Sequence, residues 1–104
     1  MTRRAFHELI DRRLPDEEIR VIEKIIGEEK DVLGCHRLRT RHSGQTHYIE
    51  MHIVLPNDWS LVRAHDLADT LEKRIAAALP PAHVVIHVDP YDEAKVLAGH
   101  GSAE

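Results

Sequence analysis

Residues 83–92, HVVIHVDPYD, set a histidine and an aspartate two positions apart near the end of an apolar stretch. Alternate residues of an extended chain share a face and lie about 6 to 7 Å apart, so His87 and Asp89 can reach one metal ion or two neighbouring ones. Three further histidines, His36, His52 and His65, stand in other parts of the chain. Neutral imidazoles with a carboxylate suit zinc or another borderline divalent ion, which takes N and O donors in near-tetrahedral order. Spacing alone is not specific. No finger-type Cys/His spacing occurs, and HELID at 7–11 departs from the H-E-x-x-H pattern at Asp11. Taken singly, His52 is also a plain exposed sheet residue, and His65 a helix-edge residue beside Asp69 one turn on.

The elements that must position these residues follow from periodicity. From Leu14, LPDEEIRVIEKIIGEEKDVLG supplies a proline, acids in a first turn, and Ile19, Ile22, Ile25 and Ile26 at helical spacing, which predicts an amphipathic helix. Gly34 closes the following turn. CHRLRTRHSGQTHYIEMHIVLP predicts two strands around Ser43-Gly44, with Ile49, Met51, Ile53 and Leu55 toward the core and Tyr48, Glu50 and His52 away from it. Pro56, Asn57 and Asp58 break the strand, and Ser60 caps a second helix whose core stripe is Leu61, Ala64, Ala68, Leu71, Ile75 and Leu79. After Pro80-Pro81 a last strand turns Val84, Ile86 and Val88 one way and Val85, His87 and Asp89 the other. The order helix, strand, strand, helix, strand predicts an α+β, αββαβ open sandwich, with two helices on one face of a three-stranded sheet and the other face bare. His52, His87 and Asp89 fall on the bare face.

His36 leaves two registers open. A three-residue loop at 43–45 sets it opposite His52 but turns Arg37 and Arg39 toward the core, whereas a two-residue loop returns Leu38 to the core and takes His36 with it. A bulge, or the fraying start of the strand, reconciles the two.

At 104 residues the chain is one small domain with few aromatics, 4%, so dimerisation is an expected source of extra burial. Its net charge of −4 and interleaved basic residues exclude a nucleic-acid groove. One cysteine, Cys35, excludes an internal disulfide and fits a reducing compartment; it is expected as a small apolar strand residue rather than a ligand. No apolar run approaches the roughly 20 residues of a membrane helix. Arg37, Arg39 and Arg41 are expected on a solvated or salt-bridged sheet face, and Trp59 as a helix-start anchor or an interface residue. His42, His47, His83 and His100 are expected at the surface, and His7 in a linker.

The runs GCHRLRTRHSG, HYIEMHIVLP, SLVRAHDLADTLEKRI and LPPAHVVIHVDP, in that order and spacing, resemble the cytoplasmic C-terminal domain of the cation diffusion facilitator transporters, in their zinc and ferrous-iron efflux branch. The likeness covers roughly residues 9 to 90. It implies a fold similar to copper metallochaperones (ferredoxin-like) and a homodimer with a metal site between protomers. It further implies two zinc ions bound by His36, His52, His87 and a bridging Asp89 of one subunit, with His65 from its partner. Val88 departs from the pattern, since close relatives often carry glutamine there, so an outer ligand is missing. Residues 1–14 are expected as the join to a last transmembrane helix, 15–91 as the metal-binding dimerisation domain and 92–104 as a mobile tail.

The function so implied is regulatory: a domain on the cytoplasmic face of the inner membrane binds zinc, or iron, manganese or cadmium, and closes the dimer of an efflux transporter. The alternatives are a freestanding cytosolic metal-buffering or metallochaperone-like protein and a plain dimerisation module. An enzyme is not expected, because no cleft-forming loop or general base accompanies the ligands.

Overall fold

The computed structural model describes residues 16–91. The expected join at 1–14, the tail at 92–104, His7, HELID and His100 lie outside the described residues. Five elements follow in order: helix α1 (Asp16–Gly27), strands β1 (Gly34–Ser43) and β2 (Thr46–Leu55), helix α2 (Leu61–Ala78) and strand β3 (Ala82–Pro90). The sheet order is β1-β2-β3. β1 and β2 form an antiparallel hairpin, while β3 runs parallel to β2, a pairing that needs a crossover connection, here α2.

Both helices cover one face. Ile22, Ile26, Leu71 and Ile75 meet Ile49, Met51, Ile53 and Leu55 in a core where each is nearly fully buried. Cys35, Leu38 and Ile86 join it, and Cys35 is therefore an interior strand residue. Arg74 of α2 pairs with Glu28 just beyond α1, fastening the helices at their exposed side. The N–H of Ile86, on edge strand β3, donates to Oε2 of Glu72 at 2.8 Å. α2 starts as its sequence requires: the N–H of Arg63 donates to Oγ of the cap, Ser60, at 3.0 Å.

Two expected core positions differ. Leu61 is 88% exposed: it is the first residue of α2, and Trp59, just ahead of the cap, packs against the core instead. Val88 is 38% exposed: it lies on an edge strand, where only Ile86 and half-buried Val84 meet the core.

The hairpin resolves the register of His36. Its turn is Gly44-Gln45, flanked by the pair Ser43 and Thr46, and the pairing runs regularly to Arg39 opposite Glu50. A β-bulge then intervenes, and His36 stands opposite His52. Arg37 and Leu38 together oppose Met51, and Arg37 takes a left-handed conformation, φ 59°, which puts one extra residue in the strand and shifts the alternation of faces across it. Leu38 is thus buried while His36 stays off the core face.

Candidate metal centre

The register sets His36, His52 and His87 in one row across all three strands. Asp89 lies two residues beyond His87 on the same face. The chain after it is held by a reciprocal pair: the N–H of Tyr91 donates to Oδ1 of Asn57 at 2.6 Å, and Nδ2 of Asn57 donates to the Tyr91 carbonyl at 3.2 Å. The carboxylate of Asp89 reaches back over the sheet. Its Oδ2 lies 2.8 Å from Nε2 of His36 and 3.2 Å from Nδ1 of His52. The His36 and His52 rings meet edge to face with centroids 5.5 Å apart.

His36, His52 and Asp89 thus converge, with one candidate ligand atom from each within 4.8 Å of the others. All three are half-buried. Burial would raise the carboxyl pKa of Asp89, but hydrogen bonds from His36 and His52 outweigh it and hold the group below its ordinary value. Two nitrogens and a charged oxygen facing one point match what a zinc-class ion takes. An all-oxygen calcium or magnesium cage would have a different composition.

His87 is next to this cluster but not in it. Its ring stacks on His52 with centroids 4.6 Å apart, and its Nε2 lies 2.7 Å from Oε2 of Glu50. Sequence reasoning passed over Glu50, although its place two residues from His52 on the bare face was the available signal. His65 stands exposed on α2, outside the cluster within this chain. Val88 occupies the position between His87 and Asp89 and offers no donor. Arg39 and Arg41 are exposed, and Arg41 lies over the Tyr48 ring at 4.6 Å.

One expected surface residue has a different setting. His47 is half-buried, with Nε2 3.2 Å from Oε2 of Glu18 on α1 and its ring 4.5 Å from that of His42. Turn length decides this pairing, which is why it was missed.

The chain is similar in sequence and fold to cytoplasmic domains of cation efflux proteins. The family profile described as the cytoplasmic domain of cation efflux proteins matches residues 14–91. The cation-efflux pump FieF of Pectobacterium carotovorum subsp. carotovorum (strain PC1) is 42% identical over 86 residues, covering 83% of this chain and 29% of that protein. FieF of Escherichia coli O127:H6 is 43% identical over the same length and shares. The chain therefore spans less than a third of these relatives. CzrB in its zinc form superposes with a TM-score of 0.70 at 36% identity, covering 81% of this chain and 97% of that one. The metal-bound C-terminal domain of the CzcD transporter from Thermotoga maritima gives a TM-score of 0.70 at 27% identity, covering 77% and 94%. The match over almost all of the described residues, joined to the αββαβ fold, makes this chain a member of the cation efflux protein family, in the part that forms the family's cytoplasmic domain.

Proposed function

We propose that this domain is the metal-responsive regulatory part of a divalent cation efflux transporter, with its site on the bare sheet face shared between two copies. The observation that carries the reading is the Asp89 carboxylate lying between His36 and His52 at 2.8 and 3.2 Å, a bridging posture that one ion or an adjacent pair could use. In this reading His36, His52 and Asp89 hold a first ion. His87 and Asp89, with His65 of a second copy, hold another.

Glu50 supports a ligand role for His87. A metal-bound histidine commonly gives its other ring N–H to a carboxylate, which fixes the tautomer. With Nε2 directed at Glu50, Nδ1 of His87 is the nitrogen left for metal. Ligands drawn from both copies favour the arrangement that brings the protomers together, by no more than the difference in affinity between the two arrangements. In a parent transporter residues 1–14 would link that closure to membrane helices. Zinc is the first candidate from the donor set, with iron, manganese and cadmium as alternatives.

Calorimetric titration of zinc, with small-angle scattering of the same samples, tests the reading. Zinc should bind at the site and compact a dimer. A monomer at all concentrations, with or without zinc, would remove the shared site.

A further inference from the structure

Glu18, His42 and His47 form a second cluster, on the other side of the sheet and at the other end of the hairpin. His42 and His47 pair directly across β1 and β2, next to the turn. The neighbours that share their face, Thr40 and Ile49, are 4% and 2% exposed, so the two histidines edge the helix-covered face rather than the bare one. Five positions along β2 separate His47 from His52, about 17 Å of extended chain. Glu18, in the first turn of α1, closes the group from above. One candidate ligand atom from each of the three lies within 4.8 Å of the others.

Two details distinguish this cluster from a simple ion pair. The Pro81 carbonyl oxygen accepts from the His47 backbone N–H at 2.9 Å and lies 3.3 Å from Nδ1 of the same residue, a contact that favours the tautomer with its hydrogen on Nδ1. Nε2 of the same ring lies 3.2 Å from Oε2 of Glu18; with the hydrogen on Nδ1, the Nε2 lone pair is the one that would face a cation held by that carboxylate. The other oxygen, Oε1, is buried with no hydrogen-bond partner among the described residues. That oxygen is therefore short of a cation or a donor. An ion at ordinary zinc distances from a nitrogen and an oxygen so separated would see them about 100° apart, near the tetrahedral angle.

We propose that Glu18, His42 and His47 bind one divalent transition-metal ion within a single chain, with a fourth position left to water. Two imidazoles and one carboxylate select zinc, cobalt or nickel over calcium and magnesium. His42 is exposed and can swing onto the ion, while His47 is already oriented by the Pro81 carbonyl in the way outer partners orient metal-bound histidines. No second copy is needed, so occupancy is independent of dimerisation. The bound ion ties the first turn of α1 to the hairpin tip.

The test uses the full chain and cobalt(II), whose visible absorption reports tetrahedral N/O coordination. In a His36→Ala, Asp89→Asn background one cobalt per chain should remain, and adding His42→Ala should weaken it by more than about tenfold, beyond the lower bound for loss of an outer partner. In the otherwise unaltered chain, His42→Ala should lower zinc stoichiometry by one per chain. His42 is exposed, so far-ultraviolet circular dichroism should be unchanged. Unchanged stoichiometry on His42→Ala, or no cobalt bound in the background variant while its circular dichroism stays native, would overturn the proposal. Neither result depends on the shared site.

Discussion

Oδ2 of Asp89, on edge strand β3, lies 2.8 Å from Nε2 of His36 on the opposite edge strand β1. The carboxylate crosses the central strand to do so and passes His52 on the way. One side chain thereby joins all three strands on the face that the helices leave open.

Asp89→Asn keeps the shape of that side chain but removes its charge. Zinc stoichiometry per chain should fall by the whole of the bare-face site, because each ion there would use this oxygen donor. Isothermal titration calorimetry measures it, and retention of full stoichiometry would exclude Asp89 as the bridging ligand.

Glu50→Ala should leave the fold intact, since Glu50 is exposed, yet weaken zinc binding about 10- to 100-fold by freeing the His87 ring. Glu50→Gln should recover part of the loss. Competition with a chromophoric chelator gives the affinities, and equal binding by all three proteins would separate Glu50 from the site.

Glu28 gives the helix pair one acid-sensitive tie. Its hydrogen bond with Arg74, aided by Lys24, lowers its pKa from 4.5. A carboxyl lowered by folding contributes stability that is complete above its unfolded value and is lost as pH falls through the folded one. Urea unfolding of metal-free protein between about pH 6 and pH 3 should therefore show a shallower decline for Glu28→Gln than for the unaltered chain. Salt should shrink the difference, because the pair is exposed. Parallel curves would refute the assignment.

Arg37 holds a left-handed backbone that costs an L-residue roughly 1 to 2 kcal/mol. Glycine avoids most of that cost but has more conformational entropy to lose on folding. Arg37→Gly should leave stability unchanged or raise it by up to about 1 kcal/mol, and Arg37→Val should lower it by at least as much as the left-handed cost. Denaturant midpoints distinguish these, and a stable valine variant would show that the bulge is absent in solution.

Thr40 is 4% exposed and its hydroxyl is buried with no hydrogen-bond partner among the described residues. An unsatisfied polar group of this kind costs about 1 to 3 kcal/mol. Thr40→Val, nearly the same shape, should raise unfolding free energy by about 1 kcal/mol, read from thermal or urea unfolding. A loss would reveal a partner for the hydroxyl in solution.

The architecture was legible because apolar spacing changes period along the chain: isoleucines every three or four residues in α1, every second residue from Ile49 to Leu55, then helical spacing again from Ala64 to Ile75. The open face was legible from the same alternation, which puts His52, His87 and Asp89 together. What the pattern could not give was phase. Whether His36 meets His52 depends on one additional residue at Arg37, and a left-handed arginine leaves no mark in composition. The pairing of His42 with His47 depends likewise on whether the turn centres on Ser43-Gly44 or on Gly44-Gln45. Glu18 meets His47 only through packing of α1 on the hairpin, a contact with no local signal. Leu61 reads as core by spacing, yet it is Trp59, not Leu61, that packs against the core.

Because the row His36, His52, His87 is spliced into one hydrogen-bonded ladder, the backbones bearing these rings are already immobilised before any ion arrives. In the proposed reading, capture would require little beyond settling a few side-chain torsions. The free energy of coordination would correspondingly be available for work outside the protomer, on whatever surface is drawn against that sheet.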